Sequence, residues 1–201
     1  MISKSQLVII GAGGQGKVCA DMAELLGYAT VVFLDDFDTV TASGKVSEFV
    51  RFLADSVFFV AIGNSRVRER ILGQLQNANA EIVTLIHPAA TVSKYATIGW
   101  GSVVMAGAVV NAGARIGNGV IINTCASVDH DCAILDYAHV AVGAHVCGTV
   151  NVGAHTWIGA GATVINNVDI CDNCMIGAGA VVVDEITAEG TYMGVPARRS
   201  K

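Results

Sequence analysis

Residues 96–135 read ATIGWGSVVMAGAVVNAGARIGNGVIINTCASVDHDCAIL, and their spacing decides the fold. Every sixth residue is Val or Ile: Ile98, Val104, Val110, Ile116, Ile122, Val128 and Ile134. Extended to Val92 on one side and through Val140, Val146, Val152, Ile158, Val164, Ile170 and Ile176 to Val182 on the other, the series has sixteen members, all β-branched. Two residues earlier most repeats carry a small side chain, as at Ala108, Ala114, Ala126, Cys132, Ala138 and Ala144, and Gly often follows the Val or Ile. A period of six fits neither a helix nor an alternating strand. It predicts a parallel β-helix in which each hexapeptide gives one short strand and one turn, and three hexapeptides close a triangular coil. Stiff Val and Ile side chains stack inward from coil to coil, and the sixteen repeats make roughly five coils.

The rest of the composition narrows the class. The 201 residues suit one large domain or two small ones. With 53% hydrophobic and 14% charged residues, a disordered chain is excluded. The net charge is -5, and the basic residues cluster only at Arg198, Arg199 and Lys201, so no nucleic-acid partner is expected. No apolar run reaches the ~18 residues of a membrane span, so no membrane partner is expected either. The opening MISKSQLVIIGAGG lacks a cleavage site and does not read as a signal peptide. Six cysteines without such a signal point to free thiols in a reducing cytoplasm, with Cys171 and Cys174 in the small apolar places of the repeat rather than as a metal or redox pair.

A different pattern precedes the repeat. LVII at 7–10 reads as a buried parallel strand, followed by GAGGQG, which sets Gly11, Gly13 and Gly16 in a G-x-G-x-x-G spacing. A helix is expected from about Lys17 to Leu26. A second strand, ATVVFLDD, ends at Asp35 and Asp36, about twenty residues past the glycines. VFFVAIG and SRVRERILGQL read as a third strand and a helix. Residues 1–86 thus form an α/β, Rossmann-like βαβ domain and residues 87–201 the β-helix with a C-terminal tail. The first half is short for a complete dinucleotide fold, which favours a nucleotide sugar over NAD, with a purely structural domain as the third reading.

These features together resemble the sugar acyltransferases of bacterial surface-glycan pathways, and residues 87–196 look like the left-handed β-helix of hexapeptide-repeat acyltransferases. The likeness is carried by GAGGQG, FLDD, AIGN, LIHP, INT at 122–124, DHDC at 129–132, HVAVGAH at 139–145 and GVPA at 194–197. Within that family it is nearest to UDP-4-amino-sugar N-acetyltransferases of the bacillosamine type, with sialic-acid O-acetyltransferases and perosamine N-acetyltransferases sharing much of the pattern. The resemblance implies a cytoplasmic homotrimer with active sites between neighbouring prisms, acetyl-CoA as co-substrate, a UDP-amino-sugar as acceptor, and no metal. It implies that His130 is the general base, Asp131 its acidic partner, Asn123 a polar residue at the acceptor, and His139 a residue near the thioester. It also implies that Ala160 and Ala178 meet the coenzyme, and that Gly13, Gly14, Gln15, Asp35, Asp36 and Gly63 bind the UDP-sugar. Gln15 departs from the family, where histidine is common.

The residues support the base independently. Val128 points inward in the repeat, so Asp129, His130 and Asp131 fall on the outer face and turn. A histidine titrating near neutrality suits proton removal from an amine attacking a thioester, and an adjacent carboxylate can fix its tautomer. Three alternatives stand beside this reading. They are a solvated histidine flanked by acids, a metal site using His130, His139, His145 and His155, whose spacing fits poorly, and covalent catalysis by Cys125 or Cys132. Trp100 and Trp157 could stack on adenine or pack between prisms, and the basic tail could neutralise coenzyme phosphates.

Overall fold

The computed structural model of the chain describes residues 6–37 and 40–200. It divides into two compact units, Met1–Pro88 and Ala89–Lys201. Lys201, the last residue of the basic tail, lies outside the described residues.

In the first unit, β1 (Gln6–Ile10), β2 (Thr30–Leu34) and β3 (Ser56–Val60) form a parallel sheet in the order β2-β1-β3. Leu7 to Ile10 and Val57 to Val60 are consecutive buried residues, the pattern of parallel strands covered on both faces. Helix α1 (Gly14–Leu25) buries Cys19, Met22 and Ala23, and helix α2 (Ser65–Asn77) buries Ile71, Leu72 and Leu75. Helix α1 starts three residues before the expected Lys17, so Gly16 lies inside it. A Cβ on Gly16 would run into the carbonyl oxygen of Gly11. Only glycine there lets the chain wind directly from the loop into the helix.

The second unit is a parallel β-solenoid of about six turns. Its first face stacks six strands, at Thr91–Val92, Val109–Val110, Ser127–Val128, His145–Val146, Thr163–Val164 and Val181–Val182. The second stacks five, from Thr97–Ile98 through Arg115–Ile116, Ala133–Ile134 and Asn151–Val152 to Asp169–Ile170. The third runs through Val103–Val104, Ile121–Ile122, His139–Val140, Trp157–Ile158 and Cys174–Ile176 to Gly190–Met193, where Arg198–Arg199 pairs antiparallel. Sixteen repeats give five full coils and one further strand on the first face, and Gly190–Met193 adds a sixth strand to the third. Through the coils residues pair eighteen positions apart, as Val128 does with Val110 and Val146, until the last pairing shortens to sixteen at Cys174 and Gly190.

The repeat's chemistry explains this register. Val110, Val128, Ile134, Val140, Val152, Ile158, Val164 and Val182 are fully buried, as are Ala108, Ala126, Cys132, Ala138, Ala144 and Ala162 two residues before an inward position. Burying each Val or Ile contributes about 1.5–3 kcal/mol, and the small residues let successive turns close on the same core. Most corners carry one left-handed residue. At two corners several of these have side chains: Asp131, Thr149 and Asn167 at the first, beside Gly113, and Tyr137, His155 and Asn173 at the second, beside Gly101 and Gly119. The third corner, between the third face and the next strand of the first, uses Gly107, Gly143, Gly161 and Gly179, with Cys125 at φ +56 as the exception.

Candidate active site

His130 stands where the strand Ser127–Val128 turns off the first face. Its Nδ1 lies 2.9 Å from Asp131 Oδ2, and its backbone N–H donates to Asp129 Oδ1 at 2.8 Å. Asp131 reaches the ring because it occupies the left-handed turn position, φ +58, which aspartate tolerates better than most residues. Asp129 is held from the coil before by Asn111 Nδ2, 2.8 Å from the same oxygen. With Nδ1–H donated to Asp131, the lone pair is left on Nε2, a tautomer assigned from this hydrogen bond. The Asp131 hydrogen bond, and after it the charges of Asp129 and Asp131, hold the imidazole above its ordinary pKa. The hydrogen bonds from His130 and Asn111 hold Asp129 below the usual carboxylate range. The arrangement is an outward-facing imidazole with its tautomer fixed and a carboxylate placed to stabilise its charged form.

Asn123 and His139 meet each other at a different corner of the coil. Asn123 Nδ2 is 3.1 Å from His139 Nε2, and Asn123 Oδ1 accepts from the Thr124 N–H at 2.8 Å. His139 is buried, its ring 4.3 Å from that of Trp157 one coil on. Ala160 and Ala178 are exposed at the same corner, and the Gly179 N–H donates to the Ala160 carbonyl at 2.9 Å. Beside them, a Cβ on Gly143, Gly161 or Gly179 would meet nothing within 4 Å. The corner therefore presents an open strip of backbone along several coils. His130 is one face away, across the strand Ser127–Val128, so Asn123, His139, Ala160 and Ala178 form one group and His130 with Asp131 another.

The first unit carries a cavity of about 430 Å³. Gly13, Gly14, Gln15, Asp35, Asp36 and Gly63 all line it, so the structure gathers these sequence-predicted residues into one place. Helix α1 enters it with Gly13 as its N-cap, no capping side chain and no acidic residue in its first turn, leaving amides and the positive end of the helix dipole facing the space. Both oxygens of Asp35 are engaged, Oδ2 by the Ala12 N–H and Oδ1 by the Phe37 N–H, each at 2.8 Å. Asp36 Oδ1 accepts from the Val46 N–H at 3.0 Å.

Two arginines escaped the reading of the sequence. Arg70 lines the cavity and supplies a guanidinium to its wall. Arg68 is buried, and its Nη1 donates to the carbonyls of Ile62 at 2.7 Å and Gly63 at 2.9 Å, clamping the loop that forms the far side. A signal existed: Arg68 shares the spacing of Ile71, Leu72 and Leu75, so a charge falls on the buried stripe of α2. The six cysteines are free thiols. Cys132 is buried in the core with its Sγ 3.0 Å from the Cys147 carbonyl, and Cys171 and Cys174 have their sulfurs 3.5 Å apart. Among the described residues no cluster of three or more His, Cys, Asp or Glu could hold a metal, and no helix is long and apolar enough to cross a membrane.

Residues 6–75 match the PglD N-terminal domain, and residues 149–184 match the bacterial transferase hexapeptide (six repeats). The UDP-N-acetylbacillosamine N-acetyltransferase of Bacillus subtilis (strain 168) is 38% identical over 110 residues, which are 50% of this chain and about half, 51%, of that protein. The GDP-perosamine N-acetyltransferase of Escherichia coli O157:H7 is 32% identical over 168 residues, 76% of this chain and 74% of that protein. The acetyltransferase domain of PglB from Neisseria gonorrhoeae FA1090, solved in complex with acetyl coenzyme A, has a TM-score of 0.92 at 40% identity, covering 98% of this chain and 99% of that one.

Proposed function

Because this chain belongs to the hexapeptide-repeat sugar N-acetyltransferases, we propose that it transfers acetyl from acetyl-CoA to a nucleotide-linked amino sugar, specifically the 4-amine of a UDP-linked 4-amino-4,6-dideoxy-N-acetylhexosamine. The observation that carries the reading is the His130–Asp131 pair, 2.9 Å apart on an exposed turn. His130 Nε2 takes the proton from the amine as nitrogen attacks the thioester carbonyl. Asp131 stabilises the imidazolium that forms. The C–S bond then breaks, and the departing thiolate takes the proton back from the His130 imidazolium and leaves as the coenzyme-A thiol. General-base assistance of this kind contributes about 10²–10⁴-fold.

The open strip at Gly143, Gly161 and Gly179, beside Ala160 and Ala178, suits an extended coenzyme lying against backbone, with Asn123 and His139 at its lower end. The cavity of the first unit suits the nucleotide, with the α1 amides and Arg70 facing phosphate and Asp36 facing a sugar hydroxyl. His130 and the glycine strip are separated by one face of the coil, up to about 20 Å of extended chain for six residues. That separation supports a homotrimer in which one copy's base meets its neighbour's strip.

The test is coenzyme-A thiol release with wild type and His130→Ala, offering the UDP-4-amino sugar, GDP-perosamine and free sialic acid. Release with the UDP-amine that is lost in the variant supports the assignment. Preference for GDP-perosamine, the substrate named by the Escherichia coli relative, transfers the reading to that nucleotide, and release with sialic acid alone transfers it to O-acetylation.

A further inference from the structure

We propose that Gly148 is a positioning residue for the base: its missing side chain is the seat of the His130 imidazole, and the ring is held in the Asp131 hydrogen bond with its Nε2 edge resting against the bare backbone. The inference rests on the reading of His130 as the base. Gly148 stands directly after His130 in the next coil, eighteen residues on, and it is buried. A Cβ built on it would meet three atoms of the imidazole: Nε2 at 2.6 Å, Cε1 at 2.7 Å and Cδ2 at 3.2 Å. Nδ1, on the other side of the ring, faces Asp131 Oδ2. The imidazole thus has a carboxylate on one edge and bare backbone under the other.

The backbone does not explain this glycine. Gly148 is outside the positive-φ glycines, so its conformation is open to any residue. The equivalent corner position in other coils is Lys94, Ala112, His130, Asn166 and Asp184, so the corner accepts side chains of every size. What sets position 148 apart is the ring beneath it. The obstruction also falls on a movable group. The His130 side chain is 58% exposed, so a methyl group at 148 displaces the imidazole outward rather than straining the coil. To restore ordinary contact the Nε2 edge must move by the better part of an ångström, and a misplacement of that size costs about 10²-fold in rate.

The charged and titratable groups around the ring are Asp129 and Asp131 on its own turn and the Cys147 thiol in the coil above; the coil below presents Asn111, Ala112 and Gly113.

The experiment compares wild type, Gly148→Ala and Asn166→Ala, the last changing the same corner one coil further on, away from His130. The His130 ring proton is titrated by NMR, with a His130→Gln spectrum for assignment, and thiol release is followed against pH. In Gly148→Ala we expect unchanged thermal unfolding, a His130 titration moved down toward the ordinary histidine value, and a kcat about 10²-fold lower. Asn166→Ala should match wild type in all three. A His130 titration unaltered by Gly148→Ala overturns the proposal, as does an equal rate loss in Asn166→Ala. The NMR arm needs no turnover, so wild type with no transferase activity would sink the proposed function while leaving the seat of the ring to be judged on its titration.

Discussion

Replacing Arg68 with Met tests whether the nucleotide cavity depends on a buried charge outside its lining. Arg68 is 1% exposed, and its guanidinium donates to two carbonyls, Ile62 O at 2.7 Å and Gly63 O at 2.9 Å. Hydrogen bonds involving a charged group contribute about 1.5–3 kcal/mol each, so this pair is worth about 3–6 kcal/mol before compensation. Ile62 and Gly63 are half-buried, so water can take over part of that bonding. Removing the charge also relieves its desolvation, and methionine refills most of the volume. About 2–3 kcal/mol of destabilisation remains for the first unit. With a urea dependence of about 1–2 kcal/mol per M, its midpoint falls by about 1–3 M. Two spectroscopic handles separate the units. Both tryptophans, Trp100 and Trp157, belong to the β-helix, while α1 and α2 are the α-helices among the described residues. Helical circular dichroism should therefore melt early in Arg68→Met while tryptophan fluorescence does not move. Re-ordering even one residue of the 62–63 loop on binding costs about 1–2 kcal/mol, so the Kd for UDP should rise about 5- to 30-fold. Arg68→Lys, keeping the charge with fewer donors, should fall between. Identical helix melting and identical UDP affinity in Arg68→Met would refute the clamp.

Asp131→Asn keeps a residue that tolerates the left-handed turn but removes the charge. Since Asp131 raises the His130 pKa, activity that rises as His130 deprotonates should begin its rise at lower pH in the variant, with a lower plateau, read from kcat/KM against pH. Any stability from the raised pKa is present below the ordinary histidine value and fades as pH climbs through the folded one, so the gap in unfolding midpoint between wild type and variant should narrow toward high pH. Gly14→Leu, at a position whose Cβ would meet nothing within 4 Å, should fold normally yet weaken nucleotide binding at least tenfold in calorimetry, because the new side chain enters the cavity. Cys125→Gly should stabilise the β-helix by about 0.5–1 kcal/mol in denaturant unfolding, because an exposed cysteine at φ +56 is strained where the neighbouring coils use glycine.

The β-helix was legible because it is a one-dimensional problem. Each residue is supported by the one eighteen positions away, so the same requirement returns every six residues and Val128 announces its inward direction without reference to anything remote. The G-x-G-x-x-G loop and the acids after β2 were legible for a related reason: tight backbone approach leaves glycine as the only solution, and Gly16 against the Gly11 carbonyl is that solution. His130 and Asp131 could be paired on paper because they are adjacent. What the linear order hid was everything set by registry between coils or by the direction of a side chain. Gly148 lies under the His130 ring, Asn111 holds Asp129, and Asn123 meets His139 rather than His130, since adjacent corners separate residues only seven apart. Arg68 reads as a charge on a helix, and only the packing of α2 turns it inward to the loop carbonyls. Sequence periodicity determined which residues face the core, because burial repeats with the chain. Tertiary structure decided which outward residues meet, because that depends on stacking distance and corner position, which the period of six leaves open.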